Sequence, residues 1–130
     1  MTLDASAVHD AVAAYYDAVR NDDIDRIAGM FAADGVMRDP VGTPPAADDT
    51  ARRKRYAAIS AAFATFGISE EQIIVGGNEG AARWTAHGTS KGGADVRFEG
   101  ISTFVFDGGG KIAVMSAYFD VAAVVAAMSG

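Results

Sequence analysis

Apolar residues recur at helical spacing in the first half of the chain and in short alternating runs in the second. Val8, Val12, Tyr15 and Val19 form one helical stripe, with Asp4 or Ser6 available as cap, so an amphipathic helix is predicted over about 7–20. Tyr15 lies on the buried stripe, while Tyr16, about 100° further round, falls nearer its flank. A second helix, capped by Asp23, is predicted to bury Ile24, Ile27 and Phe31 before Gly35 breaks it. A third, over 50–66, places Tyr56, Ile59, Phe63 and Phe66 on one side and stops at Gly67. From Gln72 the period changes. Runs at 72–75, 81–90, 96–106 and 111–120 have the length of antiparallel strands, and glycine-bearing turns separate them. The apolar tail, 121–128, fits either a last strand or a short helix. Helices followed by strands give the α+β class: about three N-terminal helices on one side of a strongly curved, mainly antiparallel sheet, in a single domain over 1–130.

Composition narrows the function classes. The chain has no cysteine, which removes disulfides and thiolate chemistry and is compatible with a reducing compartment. Its net charge of −6 argues against a nucleic-acid surface, which needs a basic face to neutralise phosphates. No apolar run is long enough to span a bilayer. The start, MTLDASAVHDAV, has an early acid and no basic lead into an apolar core, so it does not read as a signal peptide and a cytoplasmic protein is expected. The glycine clusters precede strands rather than helices, which is not the arrangement of a phosphate loop. His9 and His87 have no second ligand at metal spacing, so neither metal nor cofactor is expected. Arg52, Arg53, Lys54 and Arg55 spread around the start of the third helix and read as a solvated face, with an anionic partner as the alternative.

The chemistry concentrates in DGVMRDPVGTPP, residues 34–45. Pro40 pushes Asp39 to an extended backbone, at the end of a strand. Alternation then puts Met37 and Asp39 on one face and Val36 and Arg38 on the other. If the Met37 face is the interior one, Asp39 is poorly solvated and its pKa rises towards that of a useful base. Taken alone, an Asp before Pro also suits an ordinary turn.

Tyr15, the segment NDDIDRIAGMFAADGVMRDPVGTPP and the ending GGGKIAVMSAYF resemble the ketosteroid isomerase (SnoaL-like) branch of the nuclear transport factor 2-like superfamily. The resemblance implies a cone-shaped α+β fold, dimerisation through the outer sheet face, and an apolar ligand, steroid-like or polyketide-like, held in the cone. It carries the proton-moving carboxylate onto Asp39 in RDPVG and the tyrosine that supports the enolate oxygen onto Tyr15, aligned through Asp23 and Ile24. The second oxyanion donor, a protonated aspartic acid in the isomerases, falls on Ser102 when GISTFVFD is aligned through Phe106 and Asp107. A serine hydroxyl can donate but is far less acidic. Glu99, an odd number of residues away, faces the opposite side of its strand. Candidate pocket-lining residues are Met37, Phe63, Phe98, Phe104, Met115, Ala117 and Phe119; core packing would account for them equally well. Trp84 and Arg83 resist orientation, because the turn at Gly92 leaves the register open. The expected function is steroid Δ5–Δ4 isomerisation without a cofactor. The alternatives are a polyketide cyclase or dehydratase and a non-catalytic, apolar-ligand-binding dimer; the interleaved Asp and Arg set of an epoxide hydrolase is not found on the strands.

Overall fold

A computed structural model describes residues 3–129. Helix α1 (Ala5–Arg20) starts where the Asp4 carboxylate accepts the Ala7 N–H at 2.7 Å, and it buries Val8, Val12, Tyr15, Tyr16 and Ala18. Tyr16 is therefore not at the flank: at 1% exposure it is as enclosed as Tyr15, because the sheet wraps α1 through more than one stripe. Helix α2 (Ile24–Gly29) is capped by Asp23 and stops before Phe31, which opens strand β1 (Phe31–Arg38) instead of completing a helical stripe. The Ile112 N–H donates to Met30 O at 2.8 Å, and Phe31 pairs with Ile112; this sheet pairing overrides the local helical pattern.

Helix α3 (Asp49–Ala61) is shorter than its apolar pattern suggests, since Phe63 begins strand β2 (Phe63–Gly76). Phe63 and Phe66, predicted on the helix, lie on that strand. Strands β3 (Glu79–Ser90), β4 (Asp95–Phe106) and β5 (Ile112–Phe119) follow, and the tail resolves as helix α4 (Val121–Ser129). The five strands run in the order β1-β5-β4-β3-β2, with β1 parallel to β5 and every other neighbour antiparallel. Register shifts in β1, twice in β2, and at Val105/Phe106 mark bulges, which bend strands and increase their twist. The result is an open, cone-shaped sheet packed on one face by α1 and α3, with α4 against β4.

The basic run is not uniformly solvated. Arg52 is 3% exposed, donates to Gly35 O at 2.6 Å, and sets its guanidinium 5.1 Å from the Phe31 ring centroid. Gly35 cannot carry a side chain, because a Cβ there would lie 2.6 Å from Ile112 O. Arg53 instead pairs on the surface with Asp25 and Asp49, and Lys54 is exposed.

Candidate active site

The inner face of the sheet, α1, α3 and α4 line a cavity of about 230 Å³ that is open to solvent on one side. Asp39, Tyr15, Ser102, Phe63, Phe98, Met115, Ala117 and Phe119 line it, so the structure brings eight of the ten sequence candidates together. Met37 and Phe104 lie elsewhere. Met37 faces a separate small void beside Ile27, Phe31 and Tyr56, and Phe104 sits behind the wall, its ring edge-on to both Tyr15 and Tyr16.

The strand argument for Asp39 needs correction. β1 ends at Arg38, and Asp39 reaches the cavity from the loop that follows, while Met37 lines a different void. That loop is held on both sides. The Val41 N–H donates to Ala117 O at 2.9 Å, and Met37 and Ala46 exchange backbone hydrogen bonds at 2.8 and 2.9 Å. From α3, Arg55 donates to Asp39 O and Thr43 Oγ1, each at 3.2 Å, and to Pro44 O.

Asp39 as a residue is partly exposed, but its carboxyl group is enclosed by protein. Burial pushes its pKa up to about 6, opposed by a smaller lowering from the Arg55 charge. Among the described residues no donor hydrogen-bonds to this carboxylate, and it is the one carboxylate in the cavity lining.

Three tyrosines line the cavity, and they differ in what their protons do. Tyr56 donates to Asp22 Oδ1 at 3.0 Å, as does Ser60 Oγ, so its proton is committed to holding α3 against the α1–α2 turn. The Tyr15 hydroxyl has no partner among the described residues; burial first, then the Asp39 charge, raise its pKa and keep it a neutral donor. The Tyr16 hydroxyl is also raised by burial, with Ser102 close enough to offset part of the rise, yet it makes no well-formed hydrogen bond.

Trp84, which sequence reasoning could not orient, is 4% exposed and donates from Nε1 to Ser102 Oγ at 3.0 Å. Its orientation was readable only as a face of small residues around one large one: Gly80, Ala82, Trp84, Ala86 and Gly88 alternate inward along β3. The indole crosses β4 at Gly100, where a Cβ would meet Trp84 Cζ2 at 2.4 Å. The apolar tail was also missed as part of the site: Val121, Val124, Val125 and Met128 of α4 close the wall beside Phe63 and Phe98.

The sequence model of the SnoaL-like domain matches residues 12–115, four-fifths of the chain and all of the cavity wall except α4 and the end of β5. The chain belongs to the SnoaL-like domain family. Two solved structures share its fold. One is that of SalBIII, an epoxide hydrolase/cyclase-like enzyme described for its role in pyran ring formation in the polyether salinomycin; it is 23% identical, with a TM-score of 0.82 over 92% of this chain and 95% of that one. The other is TerC, co-crystallised with polyporic acid, at 16% identity and a TM-score of 0.83 over 95% and 99% of the two chains. A search of curated proteins by sequence found no match. Within this SnoaL-like domain no described helix is long and apolar enough to cross a membrane, and no three His, Asp or Glu side chains converge as a metal site among the described residues.

Proposed function

We propose that this SnoaL-like protein is a cofactor-independent enzyme that transfers a proton on a small apolar carbonyl compound of the polyketide type, leading to cyclisation or dehydration. The observation that carries the reading is an enclosed carboxylate with a pKa of about 6 and no internal hydrogen bond, sharing an apolar cavity with the unpartnered Tyr15 hydroxyl. A base near that pKa is largely ionised at neutral pH while remaining strong enough to accept a carbon-bound proton. Asp39 would take the proton α to the ligand carbonyl, and Tyr15 would donate a hydrogen bond to the oxygen that becomes enolate. In cyclisation the enolate carbon then bonds to a second carbonyl carbon of the same ligand, and the new alkoxide takes the proton back from Asp39.

Size is compatible with this class. A cavity of about 150 Å³ holds benzene, so 230 Å³ suits about two fused rings, and the open side of the cavity leaves room for a longer skeleton to extend. Family membership and the SalBIII and TerC likenesses support the same direction. Steroid Δ5–Δ4 isomerisation remains the second reading, favoured by the pairing of Asp39 with Tyr15; there the enolate is reprotonated at another carbon. The test is exchange of the α-protons of 1-tetralone in heavy water, followed by NMR beside a parallel absorbance assay with a 3-oxo-Δ5 steroid. Exchange well above buffer that Asp39→Asn abolishes is the expected result. No exchange, or exchange indifferent to Asp39→Asn, removes the reading, and conjugation of the steroid would move the assignment to the isomerase.

A further inference from the structure

Helix α4 is apolar on every side and yet largely uncovered. In VAAVVAAMS no residue is charged and Ser129 alone is polar. A helix of that kind is ordinarily buried all round, but α4 buries only Val124, which packs with Phe63 and Val96 in a small cluster apart from the main core. Asp120 fixes its start: the carboxylate accepts the Ala123 N–H at 3.0 Å, and the carbonyl accepts the Val124 N–H at 3.1 Å. With Val124 anchored, the spacing of Val121, Val125 and Met128 sets them along one strip of the helix, and all three line the same cavity as Asp39. Of the described residues in that lining only Val121 and Val125 are exposed, at 39% and 57%. The open side of the cavity therefore runs along α4.

The strip is chemically uniform. Ile59 and Ala62 of α3, which also line the cavity, are apolar too, and Asp39 is the one charged side chain in the lining. Since the cavity suits about two fused rings, any further part of a ligand has to leave over Val121 and Val125, where exposed apolar surface gains from being covered. A second copy of the chain covering the same strip would shut the cavity. The matched SnoaL-like domain ends at residue 115, so this wall lies outside it. We propose that Val121, Val125 and Met128 form an open-ended subsite that takes a neutral alkyl or aryl substituent of the carbonyl ligand and sets the length of substituent accepted. The inference deepens the proposed function and rests on it only for the ligand being a carbonyl compound seated in the cavity. Charged or hydroxylated substituents gain nothing there, because the strip offers no hydrogen-bonding side chain.

The probes are acetophenone, butyrophenone, hexanophenone and octanophenone, one ring and one carbonyl with a lengthening chain. By calorimetry affinity should rise by up to about four-fold per methylene over the members that reach α4. In Val125→Gln and in Val121→Asp that rise should be largely lost for hexanophenone and octanophenone, while acetophenone binds as to the wild type. Val125→Ile should keep the rise, and so should Ala126→Gln, which changes an exposed α4 residue outside the lining. In protein with carbon-13 valine methyls, the chain end of bound octanophenone should give NOE contacts to Val121 and Val125. Contacts to Val19 alone, an affinity that ignores chain length, or a rise untouched in both polar variants would each overturn the subsite. Altered sedimentation of Val125→Gln with its ketone affinities kept would overturn it too, and would give α4 to a second copy. Exchange of the ketone α-protons in heavy water, read in the same samples, separates the two readings. No exchange with the chain-length gain intact sinks the proposed chemistry and spares the subsite; exchange without the gain does the reverse.

Discussion

Asp39 carries a cost that can be measured without knowing its substrate. Its carboxyl is held at a pKa of about 6 in the folded protein, against the ordinary value of 3.8. Below pH 3.8 both states are protonated and the group is neutral in its effect; as pH rises the unfolded chain ionises first, and stability is lost until the folded pKa is passed. Two units correspond to at most about 3 kcal/mol. Asp39→Asn should therefore stabilise the protein by up to about that amount at pH 7–8, with the advantage fading towards pH 4, in urea titrations at several pH values. An equal effect at all pH values would mean that the carboxyl is solvated. Other residues were legible to different degrees. Asp39, Tyr15 and Ser102 could be placed in one cavity because the family resemblance aligns all three and the helical stripe agrees for Tyr15, whereas the local strand argument for Asp39 failed because β1 ends at Arg38. Tyr16 and Trp84 could not, since their positions depend on how far the sheet wraps α1 and on the register of β3 against β4.

At the scale of elements, α3 organises the loop that carries Asp39 through arginines that a sequence pattern reads as surface charge. Arg55 ties Asp39, Thr43 and Pro44 together, and its charge lowers the Asp39 pKa against the larger effect of burial. In Arg55→Met the Asp39 pKa should rise further, seen directly in a carbon-13 titration of the carboxyl and as an upward move of the acidic limb of any activity profile. An unmoved titration would deny Arg55 its influence. Arg52 acts on β1 instead. Arg52→Ala would leave the buried Gly35 carbonyl without its donor and uncover Phe31, a loss of about 3 kcal/mol by denaturant unfolding, and Arg52→Met, which keeps the stem, should lose less. The element boundaries misread from sequence share one cause. Phe31 and Phe63 continue helical stripes by spacing, but each sits where strand pairing begins, with Ile112 and with Ser90, and long-range pairing is invisible to a local period.

For the whole molecule, the order of helical and alternating patterns was enough to predict an α+β fold with a curved sheet, the cone was implied by the family resemblance, and neither gave its closure by α4. The outer face of the sheet presents Ile101 and Tyr118, paired across β4 and β5, with Ile74 nearby on β2; these are 49%, 47% and 61% exposed. A second copy covering this face is expected, so sedimentation should give a dimer that Ile101→Asp converts to monomer, and a wild-type monomer would count against it. The inner face has a different consequence. Trp84 is the sole tryptophan of the 130 residues, and its indole is enclosed by Phe98 and Phe119 at the cavity wall. The tryptophan emission of the protein is therefore the emission of its cavity wall: blue-shifted by that apolar setting, and sensitive to anything that comes to rest against that one ring.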